Sequence, residues 1–218
     1  MNKHLLILSL SALLFSLDSC VKDDNEPEVS PQYVELGLSV KWATFNVGAS
    51  CPEDFGNYYA WAEISTKNRY YWSTYKYNVG TEADSLTKYN TVDSLTVLDI
   101  KDDVAKAKWG ENWRIPSDVE FQELLDSCTW EWKDINGIKG YQVTSNVLGY
   151  TDKSIFLPAA CYYGGSNVLK DTPTGAYWTN CIDPEFPDAA YCVIFDSDNQ
   201  YISSSGRYIG RSIRPVCP

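Results

Sequence analysis

Histidine is almost absent from this chain: of 218 residues the only one is His4. Methionine occurs once, as Met1. These absences exclude whole chemistries. Behind the N-terminal segment no Ser-His-Asp or Cys-His nucleophile can be assembled, and no imidazole is on hand for a zinc or iron site. No CxxC pair is present, so an all-cysteine zinc centre lacks its usual spacing. Positive charge is also scarce. Eighteen Lys and Arg face 29 Asp and Glu, a net charge of −11, which argues against nucleic-acid phosphate as a partner. No metal and no cofactor is expected.

The chain does have a distinctive N-terminal order. Lys3 precedes an apolar run from Leu5 to Leu17, and Cys20 follows Asp18-Ser19. The run is short of the roughly 20 residues that span a bilayer. A charged start, a greasy stretch, small residues and then a cysteine read as a lipoprotein signal, with Cys20 as the lipidated residue. An ordinary secretory signal cut before Cys20 and an uncleaved anchor are the alternatives. Asp18 departs from the usual small residue at that place. Residues 1–19 carry one Lys and one Asp, so their removal leaves the net charge unchanged.

Residues 20–32 are rich in Lys, Asp, Glu, Asn, Pro and Ser, and too poor in apolar side chains to order themselves. They predict a flexible acidic tether. Residues 33–218 have the length of one domain with a full core. Val34, Leu36, Leu38, Val40 and Trp42 alternate with polar or small residues, as in a strand or hairpin. Residues 48–90 have no sustained period and predict a long loop region tied down by Tyr58, Tyr59, Trp61, Tyr71 and Trp72. A first helix is predicted with Asp99 as its cap, with Ile100, Val104 and Ala107 on one face and Gly110 at its end. A second begins at Ser117, with Glu120 completing a capping box and Phe121, Leu124, Leu125 and Cys128 on one stripe. Short strands follow at Tyr141–Ser145, Ile155–Pro158, Ala176–Thr179, Ala190–Phe195, Gln200–Ser203 and Ser212–Val216. Turns are predicted at Asn136-Gly137 and at Asp196–Asn199. The layout is α+β, two helices plus antiparallel sheets.

Six cysteines follow Cys20: Cys51, Cys128, Cys161, Cys181, Cys192 and Cys217. An even count in an exported chain predicts two or more disulfides among them, with connectivity open.

Several phrases occur in a telling order. They are Gly37-Leu-Ser-Val-Lys-Trp-Ala-Thr44, Asn46-Val-Gly-Ala49, Tyr58-Tyr-Ala-Trp-Ala-Glu63, Trp113-Arg-Ile-Pro116, Ile155-Phe-Leu-Pro-Ala-Ala160, Tyr177-Trp178 and Gly210-Arg-Ser-Ile-Arg-Pro-Val216. Together they resemble the Fibrobacter succinogenes major paralogous domain over about residues 33–217. The resemblance implies a C-type-lectin-like fold, related in shape to sulfatase-modifying enzymes, in a Bacteroides-type surface lipoprotein. Phe45 and Asn90 stand where many relatives have Cys, so the family's disulfide pattern does not carry over. Position suggests Cys128 to Cys217 instead. Lys22-Asp23-Asp24 resembles the short signal that sends such lipoproteins to the outer face of the outer membrane.

The calcium-binding phrases of sugar-binding lectins are missing from the domain. Glu26-Pro27-Glu28 lies in the tether, and Asp196-Ser-Asp198-Asn199 reads as a hairpin turn before a metal site. The active-site cysteine context of the sulfatase-modifying enzymes is missing too, so Cys181 and Cys192 read as a bridge or as core thiols. A carboxylate pair for glycoside hydrolysis is always conceivable in so acidic a chain, and carries no signal. The aromatic endowment, 8 Trp and 16 Tyr, is the better pointer. The candidate ligand-binding residues are Tyr162, Tyr163, Trp178, Asn180, Asp196, Asp198, Tyr201 and Tyr208, on loops near 161–175 and 197–208. Trp42, Trp61, Trp113 and Trp178 are expected chiefly in the core. Arg114, Arg211 and Arg214 are expected in ion pairs or backbone contacts. The sequence therefore predicts a non-catalytic binding module anchored at the cell surface, whose partner is a glycan or a surface or host protein. A structural or fimbrial-tip component that binds another subunit is the alternative, and an enzyme is a distant third.

Overall fold

The computed structural model describes residues 30–169 and 172–218. Cys20, the signal at 1–19, the Lys22-Asp23-Asp24 run and most of the tether at 20–32 lie outside the described residues.

The elements run in the order β1 (Tyr33–Val34), β2 (Lys41–Ala43), α1 (Val104–Trp109), α2 (Asp118–Ser127), β3 (Cys128–Ile135), β4 (Ile138–Ser145), β5 (Ser154–Pro158), β6 (Tyr162–Gly164), β7 (Asn167–Leu169), β8 (Gly175–Ile182), β9 (Ala189–Phe195), β10 (Gln200–Gly206) and β11 (Val216–Cys217). All named strand pairs are antiparallel, in sheets ordered β1-β2-β11, β3-β4-β5, β8-β9-β10 and β6-β7. The fold is α+β, as the patterning predicts.

Local chemistry explains the best-defined elements. Ser117 accepts from the Glu120 amide while Glu120 accepts from the Ser117 amide, so α2 starts on a complete capping box. Phe121 and Leu124 are its buried face. Asn136 and Gly137 both take positive φ, 53° and 82°, which is what a two-residue hairpin turn between β3 and β4 requires.

The first helix differs from expectation. Residues Ile100–Asp102 form a 3-10 turn, and α1 begins at Val104 with Asp103 as its cap. Asp103 accepts from the Ala105 and Lys106 amides, and its second oxygen takes the Ile115 amide at 2.9 Å. Asp99 makes no side-chain cap. Ile100 is 70% exposed and Ala107 is exposed, whereas Val104 and Ala105 are buried. The expected strand from Val34 to Trp42 is broken by bends at 37–40, and only its ends pair. The stretch 210–214 is no regular strand. Gly210, Arg211 and Ser212 make single bridges to Tyr163, Tyr59 and Tyr177, so the segment threads between sheets.

The core has two main parts separated by the β8-β9-β10 sheet. Trp178, Ile182, Ala190 and Cys192 face one cluster with Trp61, Tyr89, Val104 and Ile213. Tyr177, Val193 and Phe195 face the other with Trp42, Phe121, Leu124, Leu157 and Val216. Adjacent strand residues point to opposite faces, so the Tyr177-Trp178 pair feeds both cores. Each fully buried large apolar side chain stabilises the fold by about 1.5–3 kcal/mol.

The cysteines correct a prediction. Cys128, Cys161, Cys181, Cys192 and Cys217 are free, so the expected two or more bridges among the six, and the Cys128–Cys217 pair, do not form; Cys51 is not among the free thiols. The reason is placement. Cys128 packs beside Phe121 and Leu124, whereas Cys217 belongs to the other cluster. Cys192 lies opposite Trp178 and not opposite Cys181, which sits in the irregular stretch between Trp178 and Ile182. The thiols act as small apolar groups with weak donors. Cys161 Sγ lies 3.8 Å from the Ala159 carbonyl, Cys181 Sγ 3.0 Å from Asn180 Oδ1 and Cys192 Sγ 3.6 Å from the Ser203 carbonyl. Burial raises the Cys128 thiol to about 11 and also pushes the Cys192 thiol up.

Candidate functional site

The irregular segment from Tyr58 to Tyr89 carries few backbone ladders, and its rings and side chains fix its shape. Tyr70 pairs with Gly165 through two backbone bonds, 2.7 and 3.1 Å, and its hydroxyl donates to the Tyr58 carbonyl at 2.6 Å. The Tyr58 hydroxyl in turn donates to the Ala160 carbonyl. A 3-10 turn at Trp72–Thr74 is closed by Thr74, whose hydroxyl accepts from the Tyr71 amide and donates to the Arg69 carbonyl. This turn holds Tyr71 and Trp72 at the surface.

Behind the turn, Asp102 gathers four donors. Its carboxylate, buried, accepts from Lys76 at 2.8 Å, Lys88 at 2.7 Å, Tyr89 at 2.7 Å and Tyr77. Burial alone would raise its pKa. The bonds from Lys76, Lys88, Tyr77 and Tyr89 outweigh burial and hold the carboxyl well below the usual carboxylate range. For Lys88, burial works against the charge, but Asp102 and Asp99 reverse it and hold the ammonium above its ordinary value. Glu63 does a similar job nearby, accepting from Lys67 Nζ and from the Lys76 amide, each at 2.8 Å. Burial raises the Tyr70 phenol to about 12 and keeps Tyr75 neutral as well.

On this frame lies an aromatic face. Trp72 and Tyr208 meet at 4.8 Å between ring centroids. Tyr163 packs on Tyr70 at 4.7 Å and on Tyr58 at 6.0 Å. Trp72, Tyr163 and Tyr208 are each half-buried, and Tyr71 is 40% exposed. Gly206 allows the approach, since a Cβ there would stand 2.9 Å from the Tyr208 ring. Polar groups edge the face. The Arg69 guanidinium lies 5.7 Å from the Tyr71 ring centre, and the Tyr71 hydroxyl is 3.4 Å from Ser166 Oγ.

The predicted ligand residues divide among several places. Tyr163 and Tyr208 belong to the aromatic face. Tyr162, its neighbour on β6, packs instead over the buried Arg211 guanidinium at 5.4 Å. Trp178 is corrected. It is 0% exposed, its indole donates to the Tyr59 carbonyl at 2.9 Å, and the Arg211 guanidinium lies 4.9 Å from its ring, so it touches no ligand. This is the core position expected of Trp178, since the sheet that carries it is covered on both faces. Asn180 lies on the far side of that sheet, its backbone bonded to Pro116 and Leu98. Asp196 and Asp198 form the turn between β9 and β10. Asp196 Oδ1 accepts from the Asp198 and Asn199 amides at 2.8 and 2.9 Å, which fixes a hairpin turn and holds the carboxyl below its ordinary pKa. The seven residues of β10 set this turn about 20 Å from Tyr208. Tyr201, 49% exposed, lies at the turn's end of that strand. The eight residues therefore do not make one site.

Tyr71 and Trp72 complete the face, and sequence reasoning placed them only as loop anchors. Their partner Tyr208 lies far along the chain, so no local pattern joins them. Among the described residues no cluster of three or more His, Cys, Asp or Glu is arranged to hold a metal, and no helix is long and apolar enough to cross a membrane.

Arg211 and Arg214 are buried. Arg214 donates to Asn46 Oδ1 and to the carbonyls of Ala43, Thr44 and Phe156, at 2.9 to 3.1 Å. Arg114 pairs with Glu120 and is only half-buried by comparison. Arg211 is different: its Nε and Nη1 have no hydrogen-bond partner among the described residues, and aromatic rings flank it.

No family model matches the chain, no curated protein matches it, and no solved structure matches it.

Proposed function

We propose that this chain is a non-catalytic binding module of C-type-lectin-like fold, displayed at the outer face of the outer membrane through a lipid on Cys20. Its ligand is a glycan or a protein of the cell's surroundings. The observation that carries this reading is the half-exposed aromatic face of Tyr71, Trp72, Tyr163 and Tyr208. Rings that are fixed from behind and edged by Ser166 and Arg69 offer apolar area at little cost in side-chain entropy. Sugar rings and protein epitopes both stack on such surfaces. The fold reading is supported by two helices followed by antiparallel strands, and by the burial of Trp42, Trp61, Trp178 and Arg214, which stand inside the family-like phrases.

The test is a glycan array probed with the full chain and with Trp72→Ala. Binding to a defined glycan set is expected, weakened by about tenfold or more in the variant, since aromatic anchors dominate such contacts. No glycan bound, together with a tight protein partner recovered by pull-down, would remove the glycan form of the reading.

A second reading has its own observation. The β8 side of the main sheet is covered by backbone bonds to Thr96, Pro116 and Ser212, whereas β10 leaves its outer edge unpaired among the described residues. An open edge can take a strand from another subunit, which fits a structural or fimbrial-tip component. Protection of alternate β10 amides from hydrogen exchange on mixing with a partner subunit is the signature of that arrangement.

A further inference from the structure

A cleft of 350 Å³ opens beside α1, away from the aromatic face, and is lined by Asn57, Tyr59, Ser65, Thr66, Lys108 and Trp109 together with Val47 and Gly48. Its size falls at the lower end of the range of small-molecule sites, about 300–1,000 Å³. The composition of its wall is unusual for this chain. The protein carries 29 acidic residues, yet none lines the cleft. Lys108, exposed near the end of α1, has no ion-pair partner among the described residues, unlike its neighbour Lys106, which pairs with Glu111 at 2.8 Å. Among the lining residues, Lys108 carries the one charge.

The other groups narrow the chemistry. Trp109 is held edge-on by Phe45 at 5.5 Å and by Trp113 at 5.2 Å, which fixes an indole ring at the cleft wall. A fixed, half-exposed indole suits the C–H face of a sugar ring. Ser65 and Thr66 are exposed hydroxyls that both donate and accept, and the exposed Asn57 amide adds a further polar group. Hydroxyls and an amide match sugar hydroxyls, and an unpaired ammonium matches a carboxylate. We propose that this cleft binds a carboxylated monosaccharide, the terminal or internal acidic residue of a glycan. The ring lies against Trp109, the hydroxyls against Asn57, Ser65 and Thr66, and the carboxylate against Lys108.

The cleft and the aromatic face are separate surfaces, so this site stands or falls independently of the reading above. The test titrates the isotope-labelled full chain with glucuronate, glucose and acetate, and follows the Trp109 indole and Asn57 side-chain signals by NMR. Glucuronate is expected to shift both signals saturably, with glucose and acetate each weaker by about tenfold or more, because a charge-assisted bond and a stacked ring both contribute. Lys108→Gln keeps the stem and is expected to weaken glucuronate by about tenfold while leaving glucose unchanged. Equal binding of glucose, equal binding of acetate, an unchanged glucuronate affinity in Lys108→Gln, or shifts confined to Tyr71, Trp72, Tyr163 and Tyr208 would each overturn the proposal.

Discussion

Residues 128–206 and residues 58–102 close over the same core, yet they hold polar groups in different ways. In the first, β3, β4 and β5 and then β8, β9 and β10 pair register by register, and backbone satisfies backbone. In the second, long side chains do that work: Asp102 binds two lysines and two tyrosines, and Glu63 binds Lys67 and the Lys76 backbone. The ladder spreads its stability over many equivalent bonds. The loop region concentrates it in a few buried groups, and each of those is a point of failure. The aromatic face grows on the second kind of scaffold, where rings can be set at the surface without a strand's alternation.

Three substitutions separate the two modes. The largest effect is expected from Arg214→Ala. Its guanidinium ties residues 43–46 to Phe156 of β5, and removing it strands the Asn46 oxygen and three carbonyls in a buried cavity. The expected loss is about 4 kcal/mol or more, read from the urea midpoint, with both regions unfolding together. Survival of either region alone would show that they are separate cooperative units.

Asp102→Asn ranks next, at about 3 kcal/mol, because Lys76 and Lys88 would lose the charge that holds them. Here loosening is expected first in residues 75–89, seen as faster amide exchange there than in β3–β5. The same carboxylate predicts a pH dependence. Its folded pKa lies below the ordinary value of about 3.9, so its contribution is complete above that value and fades as pH falls through the lower folded one. Urea midpoints of the native chain should therefore drop between about pH 4 and pH 2 more steeply than those of Asp102→Asn. Parallel curves would mean that Asp102 is not the hub of the loops.

The smallest effect is expected from Arg211→Met. A guanidinium between Tyr162 and Trp178 with two unpaired nitrogens contributes packing and little hydrogen bonding. Methionine should change stability by no more than about 1 kcal/mol in either direction. A loss near that of Arg214→Ala would show that Arg211 is bonded as fully as Arg214.

Legibility in the sequence follows the same division. The α2 cap needed only Ser117 and Glu120, three residues apart, and the β3–β4 turn only Asn136 and Gly137. Both were readable because every participant is a near neighbour. The α1 cap was misread between Asp99 and Asp103. Both fit the local rule, and the choice fell to Asp103 because its second oxygen also takes the amide of Ile115, on the far side of the helix. The thiols were misread because an even count says nothing about which faces the cysteines share. At the candidate site, Tyr163 and Tyr208 were legible as aromatics among Gly and Ser. Their union with Tyr71 and Trp72 was not, since it depends on how an aperiodic loop docks. Trp178, expected chiefly in the core, is buried there because its sheet is covered on both faces.

The pairing of β2 with β11 has a consequence for how the domain comes into being. Arg214 and Asn46 bond across 168 residues of chain, and Val216 lies opposite Trp42 on the first sheet. The opening strand waits for the closing one. Ordering that circuit means closing a very long loop before its contacts reward it, which makes for a slow folder of high contact order. The nascent chain carries its Trp42 side open until the last segment is made. The domain's last act of folding is then the seating of its final strand, whatever else has already formed.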